Sequence, residues 1–214
     1  MQAQALLFDM DGTLIDSSVA IVSGWNKWAA RHGFDGAEVY EYSHGRKAAV
    51  TIAHFLPAAD RATVEADAEA VHDDFAALSG TIKAIPGARE LLGQLRPTEW
   101  AVVTSAPVAL ARRSLLAAGL PLPEIIVGAD LVARSKPDPE GFSLAIRKLG
   151  VAPRRAIAFE DAEAGLQAAR AAHAQVVGVG RQRRHAHLTD RWIPDYAGVE
   201  LRRGDMLELR FPGA

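Results

Sequence analysis

From Ile85 to Val179 the chain keeps returning to one pattern: a short apolar run, a polar or glycine break, then a longer stretch with helical spacing. The apolar runs are Trp100-Ala101-Val102-Val103, Ile125-Ile126-Val127, Ala156-Ile157-Ala158-Phe159 and Val176-Val177-Gly178-Val179. Ala88, Leu91, Leu92 and Leu95 form a helical face ahead of the first run. Pro107 suits the first turn of a helix that buries Val108, Ala111, Leu115 and Ala118 and stops at Gly119. Asp138 and Pro139 open another that buries Phe142, Ala145, Ile146 and Leu149, with Gly150 just past its end. A helix through Leu166 and Ala169 precedes the last run. Strands alternating with helices are the signature of βαβ units, so the expected fold class is α/β, a Rossmann-like doubly wound parallel sheet.

Leu6-Leu7-Phe8 is a further strand of that sheet, and it ends in Asp9-Met10-Asp11-Gly12-Thr13. Side chains alternate along a strand, so Asp9 and Asp11 start out pointing the same way. Two like charges that close repel unless something positive lies between them, and a hard divalent cation is the usual solution. An Asp-x-Asp-Gly turn explains the pair equally well when it is taken alone. Between this strand and Ile85 the pattern changes. Ser17-Ser18 reads as a helix N-cap, followed by Ile21, Val22, Trp25, Trp28 and Ala29 at helical spacing. Val50, Phe55 and Leu56 mark a second helix, and Val64, Val71, Phe75 and Leu78 a third. Residues 15–81 are therefore expected to form a helical cap domain inserted into a core made of 1–14 and 82–214, with the tryptophans as packing residues.

Composition narrows the function. At 214 residues, 49% hydrophobic and 23% charged, the chain suits a soluble globular protein with a full core. A net charge of −2 gives no support for nucleic acid or a membrane surface as a partner. With no cysteine, disulfides, thiolate catalysis and cysteine-ligated zinc are excluded. No signal peptide or spanning segment is expected, so a cytoplasmic monomer is the default.

In open parallel sheets the ligand site lies at the carboxyl ends of the strands. Here those ends carry Asp9 with Asp11, Thr104 with Ser105, Lys136 beyond the third run, and Glu160 with Asp161. Carboxylates bind Mg²⁺, while hydroxyls, backbone N–H groups and an ammonium bind phosphate, so phosphoryl transfer is the natural inference.

With those residues in view, the chain resembles the haloacid dehalogenase superfamily, and within it the phosphatases with a helical cap after the first strand. The family's motifs appear in order as Asp9-Met10-Asp11-Gly12-Thr13, Val102-Val103-Thr104-Ser105, Ser135-Lys136-Pro137-Asp138-Pro139 and Phe159-Glu160-Asp161-Ala162-Glu163-Ala164-Gly165. The resemblance implies that Asp9 is the nucleophile and Asp11 the general acid and base. It implies that Thr104, Ser105 and Lys136 bind the phosphoryl group, and that Asp9, Asp11 (through its carbonyl), Glu160 and Asp161 hold Mg²⁺. Dehalogenases of the superfamily use no metal and lack an aspartate where Asp11 stands, so phosphoryl transfer is favoured over carbon–halogen hydrolysis. His44-Gly45-Arg46-Lys47 resembles a cap segment of polyol- and sugar-phosphate phosphatases, which makes His44, Arg46 and Lys47 the expected specificity residues, Arg46 foremost. The expected substrate is a small phosphorylated sugar or polyol. A β-phosphoglucomutase-like phosphomutase, a phosphoglycolate phosphatase and a catalytically silent sugar-phosphate-binding protein are the alternatives. Arg181, Arg183, Arg184, His185 and His187 read as a solvated loop, and residues 192–211 as the sheet edge, with no function assigned.

Overall fold

The computed structural model describes residues 1–183 and 185–212; Arg184 of the basic cluster lies outside them. In chain order the elements are β1 (Gln2–Ala3), β2 (Ala5–Phe8), β3 (Ile15–Asp16), α1 (Ser18–His32), α2 (Gly36–Ser43), α3 (Ala48–Phe55), α4 (Arg61–Ala77) and β4 (Lys83–Ala84). Then follow α5 (Ala88–Leu92), β5 (Trp100–Val103), α6 (Val108–Ala117), β6 (Ile125–Val127), α7 (Glu140–Leu149), β7 (Ala156–Glu160) and α8 (Glu163–Ala171). β8 (Gln175–Val179), β9 (Arg191–Ile193), β10 (Glu200–Arg203) and β11 (Leu207–Arg210) complete the chain.

Six parallel strands form the main sheet in the order β6-β5-β2-β7-β8-β9, with β2 between β5 and β7. The apolar runs are strands because both of their faces are covered. Leu6 and Phe8 point to one face, where Trp100, Phe159, Leu91 and Leu115 pack around them. Leu7 points to the other, against Val103, Phe142, Ile146 and Leu166. Helices α5 and α6 therefore close one side and α7 and α8 the opposite side, the doubly wound arrangement. Phe8 stacks on Phe159 with centroids 4.7 Å apart and meets the Trp100 edge at 6.0 Å, so the strand that delivers Asp9 is clamped immediately before its polar end.

Helices α1 to α4 share a separate apolar cluster built on Trp25, Trp28, Val39, Ile52 and Val71. The Trp28 indole donates to Asp67 Oδ2 at 2.9 Å, tying α1 to α4. Helix α2 was not among the helices expected from spacing: of its eight residues only Val39 and Ser43 are buried, too few to show a period. Its start is marked instead by Asp35, whose carboxylate accepts from Ala37 N at 2.7 Å. The chain leaves for these helices and returns through β3 and β4, which pair Ile15 with Ala84 and Asp16 with Lys83.

The C-terminal expectation needs correcting. Only β9 lies on the edge of the main sheet; β10 and β11 join β1 in a separate antiparallel sheet of three strands. In β11, buried Leu207 and Leu209 alternate with Glu208 and the exposed Arg210, a pattern that keeps one face wet and so cannot enter a sheet covered on both sides. Arg181 and Arg183 are exposed, as expected of a solvated loop. Among the described residues no helix is long and apolar enough to cross a membrane.

Candidate active site

Because β2 lies between β5 and β7, its end meets Thr104 on one side and Glu160 and Asp161 on the other. Lys136, from the segment between β6 and α7, reaches across this junction. Its Nζ lies 2.5 Å from Asp9 Oδ1 and 2.6 Å from Glu160 Oε1, and all three residues are buried. Burial alone would pull the ammonium down, but the charges of Asp9 and Glu160 outweigh it and hold Lys136 above the ordinary lysine value.

Glu160 is fully buried, and each of its oxygens already has a donor. Lys136 takes Oε1, and Oε2 accepts from the backbone N–H groups of Asp161 at 2.8 Å and Ala162 at 2.9 Å. Burial pushes this carboxyl up, while the ammonium and the N–H groups pull it back toward the charged form. Gly165, one turn into α8, leaves the space: a Cβ there would overlap the Glu160 carboxylate. Gly12 does the same for Asp161, and its φ of +81° is one that a side chain would strain. Asp161 Oδ1 accepts from Thr13 Oγ1 at 3.2 Å, and burial, then the nearby Glu160 and Asp9 charges, push its carboxyl up.

Asp9, Glu160 and Asp161 each offer an oxygen within 4.8 Å of the others. Carboxylate oxygens that repel one another in a buried cluster fit a hard cation such as Mg²⁺, which stabilises their charged forms together. With its oxygens engaged by other donors, Glu160 fits the outer side of such a site better than Asp9 and Asp161 do. Asp11 does not offer its carboxylate to the cluster. Its Oδ1 accepts from Ser17 Oγ at 2.5 Å. Burial, opposed by that hydrogen bond and reinforced by Asp9, raises Asp11 to about 6. Ser17 is thus at the N-cap position of α1 without making a side-chain cap; its hydroxyl is turned to Asp11 instead.

Thr104 and Ser105 both line the cavity above Asp9. Thr104 Oγ1 accepts from Ala106 N at 3.1 Å, which leaves its proton for another acceptor. The Ser105 hydroxyl donates to the Gly45 carbonyl at 2.9 Å, joining the strand end to the helical insertion, and this engages the side chain but not the backbone N–H expected to meet a phosphoryl group. The His44-Arg46-Lys47 group splits. His44 and Arg46 line the cavity, although Arg46 also donates to the Tyr42 carbonyl at 2.6 Å and lies over the Tyr42 ring at 4.4 Å. Lys47 is directed elsewhere. Its Nζ donates to the carbonyls of Ala129 and Val132, each at 2.8 Å, so it fastens the insertion to the loop after β6 instead of facing a substrate. Tyr40, His72 and Ser114 line the same cavity and were not picked out by sequence, and Trp25, expected as a packing residue, lines it too. Each lies on a helix, where spacing separates inward from outward faces but does not tell a core-facing residue from a cavity-facing one.

A family model described as haloacid dehalogenase-like hydrolase matches residues 3–173, most of the chain. The chain belongs to this family. Hexitol phosphatase A of Escherichia coli is 38% identical over 181 residues, covering 84% of each protein. Validoxylamine A 7'-phosphate phosphatase of Streptomyces hygroscopicus is 37% identical over 214 residues, covering 96% of this chain and 95% of that one. Among solved structures, the chain matches CbbY of Rhodobacter sphaeroides in complex with phosphate at a TM-score of 0.79 and 28% identity, over 92% of this chain and 96% of that one. The six-stranded parallel sheet and its helices are accordingly the haloacid dehalogenase-like fold.

Proposed function

We propose that the chain is a Mg²⁺-dependent phosphatase of small sugar or polyol phosphates that works through an aspartyl-phosphate on Asp9. The observation that carries this reading is the unequal pair at the cavity floor. Asp9 is held by the Lys136 ammonium through one oxygen, with the other oxygen free of hydrogen bonds among the described residues, while Asp11 one residue on is raised to about 6. Neighbouring carboxyls in environments that differ this much divide the roles of nucleophile and acid.

Asp9 attacks phosphorus and the bond to the leaving oxygen breaks, with Asp11 delivering its proton to the departing alkoxide. Water then attacks phosphorus, Asp11 takes its proton, and inorganic phosphate leaves Asp9. Lys136 neutralises charge that grows on the Asp9 and phosphoryl oxygens. Asp9 and Asp161 would hold Mg²⁺, with Glu160 behind them, and the bound ion would supply positive charge to the phosphoryl oxygens. Residues 15–81 act as the cap that covers the site and excludes bulk water. The related phosphatases named above act on a hexitol phosphate and on validoxylamine A 7'-phosphate, and 2-deoxyglucose-6-phosphate phosphatases of Saccharomyces cerevisiae are 30–31% identical, which supports a hydroxylated leaving group.

Phosphate release from a panel of hexitol, hexose and glycerol phosphates tests the reading. Release is expected with Mg²⁺ and is expected to fall about 10³-fold in EDTA. Undiminished release in EDTA would remove the metal from the mechanism, and hexose phosphate interconversion outpacing phosphate release would favour the mutase. Ser17→Ala tests the assignment of Asp11. The lost hydrogen bond lowers the Asp11 pKa in the native protein, so its removal raises that pKa and keeps the acid protonated to higher pH. The alkaline limb of kcat/KM is expected to move up by about 0.5–1 pH unit. A limb that stays in place or moves down would take the proton transfer away from Asp11.

A further inference from the structure

The mechanism uses the floor of the cavity and leaves its far wall without a role. Helices α1, α4 and α6 build that wall with Trp25, His72, Phe75, Leu110 and Ser114. Most of it is apolar, with Trp25 and Phe75 meeting edge to face at 6.1 Å. His72 and Ser114 interrupt it. His72 is half-buried one turn before Phe75, with ring centroids 6.3 Å apart, and Ser114 is buried on α6. Neither side chain has a hydrogen-bond partner among the described residues. Their polar atoms are open to the cavity, where a ligand group can bond them.

The state of the ring limits what that group is. Burial pulls the imidazole below its ordinary value, against the opposing charges of Asp73 and Glu69, so at neutral pH the ring is uncharged. A neutral imidazole carries one donor and one acceptor, the same two functions as a hydroxyl. The same cavity is lined by Arg46, whose guanidinium keeps donors beyond the one given to Tyr42, so the imidazole is the neutral hydroxyl-matching group on this wall while a cation stands elsewhere in the lining.

We infer that His72 is a specificity-determining residue that holds a distal hydroxyl of the leaving group, which selects phosphomonoesters of hydroxylated compounds with an apolar face to lie against Trp25 and Phe75. This inference rests on the phosphatase reading and adds to it the residue that recognises the part of the substrate remote from phosphorus. Being remote, His72 acts on binding more than on the chemical step.

The test is steady-state kinetics of wild type, His72→Leu and His72→Gln on a hexitol 6-phosphate and on acetyl phosphate, whose leaving group is too short to carry a distal hydroxyl. His72→Leu is expected to raise KM for the hexitol ester about 10-fold with kcat changed less than about two-fold, and to leave acetyl phosphate kinetics unaltered. His72→Gln keeps a donor and an acceptor and is expected to stay within about three-fold of wild type. Equal losses on both substrates, or an unchanged KM for the hexitol ester in His72→Leu, would overturn the inference. Wild-type turnover of acetyl phosphate without turnover of any neutral polyol or sugar ester would overturn it while the phosphatase reading stands. Turnover of neither substrate would overturn that reading first, and the inference with it.

Discussion

Asp9→Asn is expected to stay folded and to lose about 10⁴-fold or more in kcat, because the covalent route has no other start. The substitution is nearly isosteric, and the amide oxygen can still accept from Lys136 Nζ, now 2.5 Å from Asp9 Oδ1. Attack on phosphorus, however, needs an anionic oxygen, and the amide has none. The variant should therefore separate binding from chemistry. Its thermal midpoint should stay within a few degrees of wild type, while phosphate release from the best ester of the panel drops to background. Losing a negative charge from the floor also weakens repulsion of a dianionic phosphate, so substrate affinity should hold or improve. Residual kcat above about 1% of wild type would show that Asp9 is not the nucleophile. Asp11→Asn would not substitute for this test, since a lost proton donor typically slows the leaving step by about 10²–10⁴-fold without closing the route.

The sheet and the floor of the site were legible in the sequence because both are written in short-range pattern. Each strand is a continuous apolar run, and Asp9, Thr104 and Glu160 each stand immediately at or past the end of one, so the fold itself brings them together. The glycines at 12 and 165 belong to the same legible set, although their reason, a carboxylate lying where a Cβ would be, needs coordinates. What was not legible depends on directions that local sequence does not hold. Ser17 stands where a helix cap is expected, and only in space does its hydroxyl turn to Asp11. Lys47 and Ser105 have the residue types that suit a phosphate, yet one is bonded to Ala129 and Val132 and the other to Gly45. Long or rotatable polar side chains reach several partners from one backbone position, so their assignment waits on how helices α1 to α4 pack against the sheet and its loops. His72 shows the converse. On α4, among Asp73, Asp74 and Glu69, it looks like part of a solvated face, but the cavity lies on its side of the helix.

Lys136→Met should produce the second large effect, and unlike Asp9→Asn it should strike stability as well as rate. Lys136 is buried with both of its carboxylate partners, Asp9 and the fully buried Glu160. Methionine fills similar volume but leaves two buried carboxylates facing each other with nothing positive between them. Removing one partner from a buried ionic group costs about 3–5 kcal/mol, or roughly 6–20 °C in Tm for a chain of this length. The loss should depend on pH in a defined sense. Burial raises Glu160 and Lys136 opposes that rise, so in the variant the folded-state pKa of Glu160 climbs further above its unfolded value. A group with a raised folded pKa is fully accommodated below its unfolded pKa and becomes destabilising as pH rises through the folded one. In EDTA, the Tm deficit against wild type should therefore be largest at pH 8 and shrink toward pH 5. Adding Glu160→Gln to Lys136→Met should restore part of the stability, because it removes one of the stranded charges, but none of the activity. Phosphate release should fall by about 10²–10³-fold in both variants, since the charge that stabilises the transferring phosphoryl is gone from each. A pH-independent deficit, or a double variant no more stable than Lys136→Met, would show that Lys136 contributes packing at this junction and not charge.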